Sequence, residues 1–315
     1  MQDLQTLLNG STLFTIVLET TPIWLAALGG AFTAQANILN IALEGMILMG
    51  AFVSIAVGAA TQSATLAVLA AIVAGLALSL VFAWATLYLR ADLVVAGLGI
   101  NLVAEGITVY LLERLYNNEG DYQPFTFPHL WTLNLGPLAN IPVLGPALQG
   151  QTIIVLIGLV LIPISGWLLY RTRFGLRVRA VGEAEDAAVA AGINPNRMKL
   201  YTILMSGGLC GLAGAQLAMA TLDMFVRDMS GGRGYIALAA LTFAGGNPVG
   251  TFIASLIFGA ASALSDRLQL LSQPSIPTQF ALMVPYVVTV VALIVAALRN
   301  RYRPRPAEAT IAAEK

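Results

Sequence analysis

The first 89 residues contain neither lysine nor arginine, and the 315-residue chain has a single cysteine and a single histidine. With 58% hydrophobic and 10% charged residues and a mean hydropathy of +0.81, the composition excludes an ordinary soluble globular domain. The lone Cys210 excludes an intrachain disulfide; centred in an apolar run, it reads as a packed core thiol. His129 sits in a proline-rich stretch without a partner for a zinc site. A formal net charge of zero gives no support to nucleic-acid binding. No glycine-rich stretch ends in Gly-Lys-Ser/Thr, as a phosphate-cradling loop requires, so no ATP site is expected. An enzyme reading has no support, because no exposed Ser-His-Asp, metal or paired-carboxylate arrangement is present.

What the chain does have is a succession of apolar runs. About 18 to 20 such residues span a hydrocarbon core as a helix. The runs are 13–33 (with Pro22 inside), 38–60, 64–89, 93–112, 152–170, 200–221, a glycine-interrupted run 235–264, and 279–298. The first lacks a basic leader region and is read as a span, not as a cleavable signal peptide. The expected fold is an all-α polytopic membrane protein, one domain over 1–315, with about 8–10 transmembrane helices including a broken or re-entrant one.

Positive charge sets the orientation, because cytoplasmic loops are rich in Lys and Arg. Arg171, Arg173, Arg177, Arg179, Arg197 and Lys199 put the segment 171–199 in the cytoplasm. Arg299, Arg301, Arg303, Arg305 and Lys315 put the tail 299–315 there too. Counting backwards, 116–151 is external, Arg90 is internal and the N-terminus faces outward. Three simple spans cannot then join an internal loop to an internal tail. Either the run 235–264 is broken, for which Gly245-Gly246-Asn247-Pro248 offers the place, or it is one kinked span and the tail is inverted. Half-helices over 235–244 and 249–264 restore the parity. Freed backbone groups at such a break must line protein or a wet cavity, as at transport pathways.

Within 171–199, a short helix is predicted over 183–191. Gly182 precedes it, Glu183, Glu185 and Asp186 load its first turn, and Gly192 and Pro195 end it. Ala187, Ala188 and Ala191 leave it a small smooth apolar face, suited to docking in another protein's groove.

Three segments together resemble a known group. LGGAFTAQANILNIALEGMILMGAF (28–52) resembles the N-terminal signature of permease subunits in the ribose, simple-sugar and nucleoside group of bacterial ABC importers. The arginine-rich start and V-G-E-x-x-x-A-A-x-x-A-G-I core of 171–199 is similar to that group's coupling segment. GGRGYIALAALTFAGGNPVG (231–250) resembles its third signature. The likeness runs from about residue 22 to 298, and N-I-A-L-E-G at 40–45 with ADLVVAGLGINLVAEGIT at 91–108 points to the nucleoside-type branch. Residues 244–247 depart from the pattern, which carries a bulky basic residue and tryptophan before Asn-Pro.

The resemblance implies a type II ABC importer-like permease in a bacterial inner membrane. It binds no cofactor directly, since a separate cytoplasmic ATP-binding subunit hydrolyses ATP. Its other partners are a second, similar permease, an extracytoplasmic substrate-binding lipoprotein and a small-molecule solute. Gly182, Glu183, Asp186, Ala187, Ala188, Ala191 and Gly192 form the expected ATPase coupling segment.

Ionisable and amide side chains at membrane depth are the pathway candidates. Asn40 and Glu44 are four residues apart, as are Asn101 and Glu105, so each pair is expected on one helix face. They line a polar conduit or fix helix packing, and both readings stand. Gln216 lies beside Gly207, Gly211 and Gly214, a strip for close helix approach; Gly245 and Asn247 lie in the break. Asp223, Arg227, Asp228 and Arg233 suit either a binding-protein contact or a solvated turn. Tyr116, Tyr122, Phe125, Phe127 and Trp131 form an interfacial belt or plug, or a stacking platform for a base. A permease for ribose or another simple sugar is the first alternative. A branched-chain amino acid permease and an ion-coupled secondary transporter using Glu44 or Glu105 are further ones.

Overall fold

The computed structural model describes residues 10–118, 120–134 and 144–271, and isolated positions from 283 to 294. The tail 299–315 and nearly all of the predicted span 279–298 lie outside the described residues. The chain divides into two units, Met1–Ala263 and Leu264–Lys315. The described elements are α1 (Gly10–Gln35), α2 (Leu43–Thr61), α3 (Ala64–Ala83), α4 (Leu93–Tyr116), α5 (Leu144–Leu148), α6 (Ile153–Arg171), α7 (Arg173–Glu183), α8 (Glu185–Ala190), α9 (Pro195–Leu217), α10 (Arg233–Phe243) and α11 (Pro248–Leu271). Single π-helical stretches, Trp84–Tyr88 and Ala218–Leu222, prolong α3 and α9. Seven of the described helices are long and apolar enough to cross a membrane.

Local chemistry places the ends. Asp92 accepts the Val94 and Val95 N–H groups at the start of α4, and Asn194 accepts the Arg197 N–H in front of a proline at the start of α9. Pro22 removes one helical donor from α1, while the adjacent Thr20 and Thr21 hydroxyls donate to the Ile16 and Val17 carbonyls. The second span begins later than its hydropathy suggests, at Leu43 and not at 38. Asn37 takes a left-handed φ of 57°, and the Asn40 side-chain oxygen accepts the Ala42 N–H, which holds the intervening chain in a turn.

At the centre, α9 packs between α1, α2 and α3. Glycine makes this possible. A Cβ on Gly75 of α3 would overlap the Gly207 carbonyl of α9, one on Gly211 the Ala71 carbonyl, and one on Gly214 the Ile47 carbonyl. In lipid, where apolar side chains gain nothing by leaving the solvent, such backbone-to-backbone contact supplies the packing energy.

The antiparallel pair β1 (Asp121–Tyr122) and β2 (Phe225–Val226) ties the chain after α4 to the chain after α9, defining one end of the molecule. The opposite, basic end carries α7 and α8. There α1 finishes, with the Gln35 carbonyl against Gly182. The chain then doubles back to mid-depth, where Asn40 donates to Ser206 near the middle of α9 at 3.0 Å, and α2 starts from that level. After β2 the chain dips again, so that α10 also starts at depth. Its 11 residues rise about 16 Å, half of a ~30 Å hydrocarbon core.

The break over 244–247 is present, with Gly245 and Gly246 at φ 59° and 71°. The second helix differs from the expected half-length 249–264: α11 has 24 residues and spans alone. The descent is completed by the segment 223–232 ahead of α10, so the expected pair of half-helices is one half-helix followed by one full-length helix.

Candidate functional site

The half-helix α10 begins on glycine, and Gly232 offers no side-chain cap. Its free N–H groups are met instead from α2. Glu44, buried in the core, accepts the Gly232 N–H through Oε1 at 2.7 Å and the Gly234 N–H through Oε2 at 2.6 Å. A carboxylate at a helix N-terminus satisfies both the open donors and the positive end of the helix dipole. Gly234 lies so close to the Glu44 backbone that a Cβ there would fall 2.5 Å from its Cα. One residue before it, the half-buried Arg233 pairs with the buried Glu19 of α1 at 2.7 Å. Glu19 follows the same rule as Glu44, an ionisable group inside an apolar run that needs a partner, and that signal was in the sequence.

Asn101 of α4 completes the junction. Its Oδ1 accepts the Gly45 N–H at 2.8 Å, and its Nδ2 donates to the Ile41 carbonyl at 3.0 Å and the Tyr235 hydroxyl at 3.1 Å. Beside it opens a cleft of ≈ 370 Å³ lined by Glu44, Asn101, Glu105, Asp228, Ser230 and Tyr235, with leucines and glycines for the remaining walls. Three of the predicted pathway residues thus share one site. Asp228, Ser230 and Tyr235 were not legible as members, because the irregular segment that delivers them has no periodicity.

The other predicted pathway residues lie elsewhere. Asn40 precedes α2 and shares no helix face with Glu44; it bonds Ser206. Gln216 accepts from Thr152 at 2.6 Å, binding α9 to the start of α6. Gly245 and Asn247 are exposed at the basic end, where Asn247 caps α11 through the Val249 N–H at 3.0 Å. Gln35 reaches this turn, donating from Nε2 to the Gly246 carbonyl at 3.1 Å.

The basic segment is two helices where one was expected. The chain from Arg173 to Glu183 is already helical, so Glu183 ends α7 and does not begin the short helix. Gly182 lies inside α7 as a close-packing position and does not mark the boundary ahead of the short helix. Ala184 breaks the helix in an extended conformation, and α8 runs only from Glu185 to Ala190, with Glu185 and Asp186 in its first turn. Glu185 pairs with Lys199 at the start of α9 at 2.7 Å. Ala188 is turned inward and buried, whereas Ala187, Val189, Ala190 and Ala191 are exposed and Gly192 is left-handed at φ 78°. Arg173, Arg177 and Arg197 rim a ≈ 690 Å³ groove next to the end of α8.

At the far end, Tyr116 and Tyr122 stack at 3.5 Å, Phe127 covers Gly58, and Asp223 meets His129 at 3.4 Å. Phe125 and Trp131 are exposed.

The chain is similar to the guanosine ABC transporter permease protein NupQ of Bacillus subtilis (strain 168), with 37% identity covering 86% of this chain and 87% of that protein. It is similar to the nucleoside ABC transporter permease protein NupC of Lactococcus lactis subsp. cremoris (strain MG1363), with 35% identity covering 88% and 89%. The ribose import permease protein RbsC of Bacillus subtilis is 34% identical, over 40% of this chain and 39% of its own length. No solved structure matches significantly. Residues 12–293 match the family described as branched-chain amino acid transport system / permease component, and with this arrangement of membrane-spanning helices the chain belongs to that family of multi-pass ABC transporter permeases.

Proposed function

We propose that this chain is the membrane-spanning subunit through which an ABC importer moves a nucleoside across the cell membrane. The observation that carries the cargo class is that one relative named for guanosine and one named for nucleosides are 37% and 35% identical over 86% and 88% of this chain, whereas a relative named for glucose is 29% identical over 81% and the ribose relative aligns over 40%. The solute passes along the cleft between α2, α4 and α10. The chain hydrolyses no ATP; a cytoplasmic ATPase subunit does, a second similar permease completes the pathway, and an extracytoplasmic binding protein delivers the solute. The ion-coupled alternative drew on Glu44 or Glu105; of these, Glu44 has both carboxylate oxygens engaged by backbone donors.

Uptake of labelled guanosine and uridine into cells carrying this permease with its partner subunits tests the cargo. Unlabelled nucleosides should compete and excess ribose or leucine should not; the reverse pattern overturns the reading. An ATPase subunit unable to hydrolyse ATP should abolish uptake even with the proton gradient intact.

Energy enters at α8, through its exposed face and the neighbouring arginines, which suit an acidic surface on the ATPase. Ala187→Trp alters that face without touching the permease interior, so it should cut ATPase co-purification and uptake at least about 10-fold, a loss of roughly 1.4 kcal/mol. Unchanged co-purification and uptake would remove α8 from the interface. Ala188 is unsuitable for this test, since a larger side chain there disturbs the permease itself.

A further inference from the structure

The cleft holds more hydrogen-bonding capacity than the protein uses. Glu44 and Asn101 are committed to backbone and to Tyr235. The Glu105 and Asp228 carboxylates have no hydrogen-bond or ion-pair partner among the described residues. Ser230 is the sharper anomaly. It is fully buried, lines the cleft, and its hydroxyl has no hydrogen-bond partner. An orphaned buried hydroxyl is costly, and it is tolerated where another molecule satisfies it. The Tyr235 hydroxyl accepts from Asn101, so its own proton is free to point outward.

We propose that this cleft is a solute subsite that grips a paired hydrogen-bond-donor edge of an uncharged solute, with Glu105 and Asp228 accepting and Ser230 and Tyr235 completing the contact. This deepens, and rests on, the nucleoside reading above. Carboxylate oxygens accept, and two carboxyl groups without a protein partner call for donors. A metal ion fits poorly, because the Tyr235 proton would face it. A nucleoside has two such edges: the vicinal hydroxyls of the ribosyl ring, and the N–H and NH₂ edge of guanine. A volume of ≈ 370 Å³ falls at the lower end of the roughly 300–1,000 Å³ of small-molecule sites and suits part of a nucleoside well.

The test compares initial uptake rates of guanosine, 2′,3′-dideoxyguanosine and inosine by the complete transporter with wild-type permease and with E105Q, D228N and S230A. The binding protein is the same throughout, so its own selectivity cancels when variant is compared with wild type. Each carboxylate variant should lower guanosine uptake about 10-fold or more at subsaturating solute, as expected for loss of a charge-assisted hydrogen bond. The analogue that lacks the recognised donors should lose little. A flattened guanosine-to-dideoxyguanosine ratio assigns the ribosyl diol, and a flattened guanosine-to-inosine ratio assigns the guanine edge. S230A guards against a structural explanation: its hydroxyl bonds nothing in the protein, so a packing role predicts unchanged melting and unchanged uptake, whereas a solute contact predicts unchanged melting and about 5-fold slower uptake. If wild type imports guanosine and all three variants keep its rate, or lose all three solutes in equal proportion, the subsite is overturned and the importer reading stands. If wild type imports no nucleoside, the importer reading itself fails.

Discussion

Glu44→Ala is expected to unseat α10 and abolish transport. The substitution removes two charge-assisted hydrogen bonds of 2.6 and 2.7 Å and leaves the Gly232 and Gly234 donors open beside a buried junction. Each bond to an ionised partner contributes about 1.5–3 kcal/mol, so the loss of two is about 3–6 kcal/mol. Purified in detergent, the variant should melt roughly 6–15 °C below wild type. Glu44→Gln should fall between, since its amide oxygen satisfies one donor while its NH₂ faces the other. Glu44→Asp keeps the charge and should recover most of the loss. A Glu44→Ala protein melting within about 2 °C of wild type would show that α10 is held by packing alone.

The second large effect is expected at Gly211. A methyl there overlaps the Ala71 carbonyl, a backbone atom that cannot swing aside. Forcing one methyl into a packed contact typically costs about 1–3 kcal/mol, enough to outweigh the ~1 kcal/mol by which alanine exceeds glycine in helix propensity. Gly211→Ala should therefore lower the melting temperature, and Gly211→Leu should yield only aggregate in size-exclusion chromatography. Gly208 is the control. The nearest atom to a Cβ there is Leu76 Cδ2 at 3.7 Å, an ordinary contact, so Gly208→Ala should be neutral or stabilising. Equal behaviour of the two alanine variants would refute the close-packing account of the α3–α9 contact.

Hydropathy carried most of the architecture, because a spanning helix must declare itself over about twenty residues. The glycine break declared itself as well, through Gly245, Gly246 and Pro248. Where the reading fell short, the decisive forces were tertiary. Asn40 and Glu44 looked like one helical face, but the Asn40 side chain spends its oxygen on a turn that delays α2. Gly182 looked like the boundary ahead of a short helix because glycine breaks helices; here its missing Cβ admits the Gln35 carbonyl from a residue 147 positions away. Glu44, Asn101 and Glu105 were found because burying an ionisable or amide group in lipid demands a purpose. Ser230 and Tyr235 were not, since serine and tyrosine in an irregular segment carry no such signal.

Gln35 connects two regions that the sequence separates widely. Its carbonyl abuts Gly182 of α7, and its side-chain amide holds the Gly246 carbonyl in the turn between α10 and α11. Phe32 and Ala36 on either side are packed with Leu169 and Val178, which beds α7 firmly against this stretch. A push on α7 cannot leave that turn unmoved unless Gln35 surrenders one of its two grips. The molecule thus has a one-residue linkage between α7, which lies beside the proposed ATPase contact, and the corner where α10 gives way to α11.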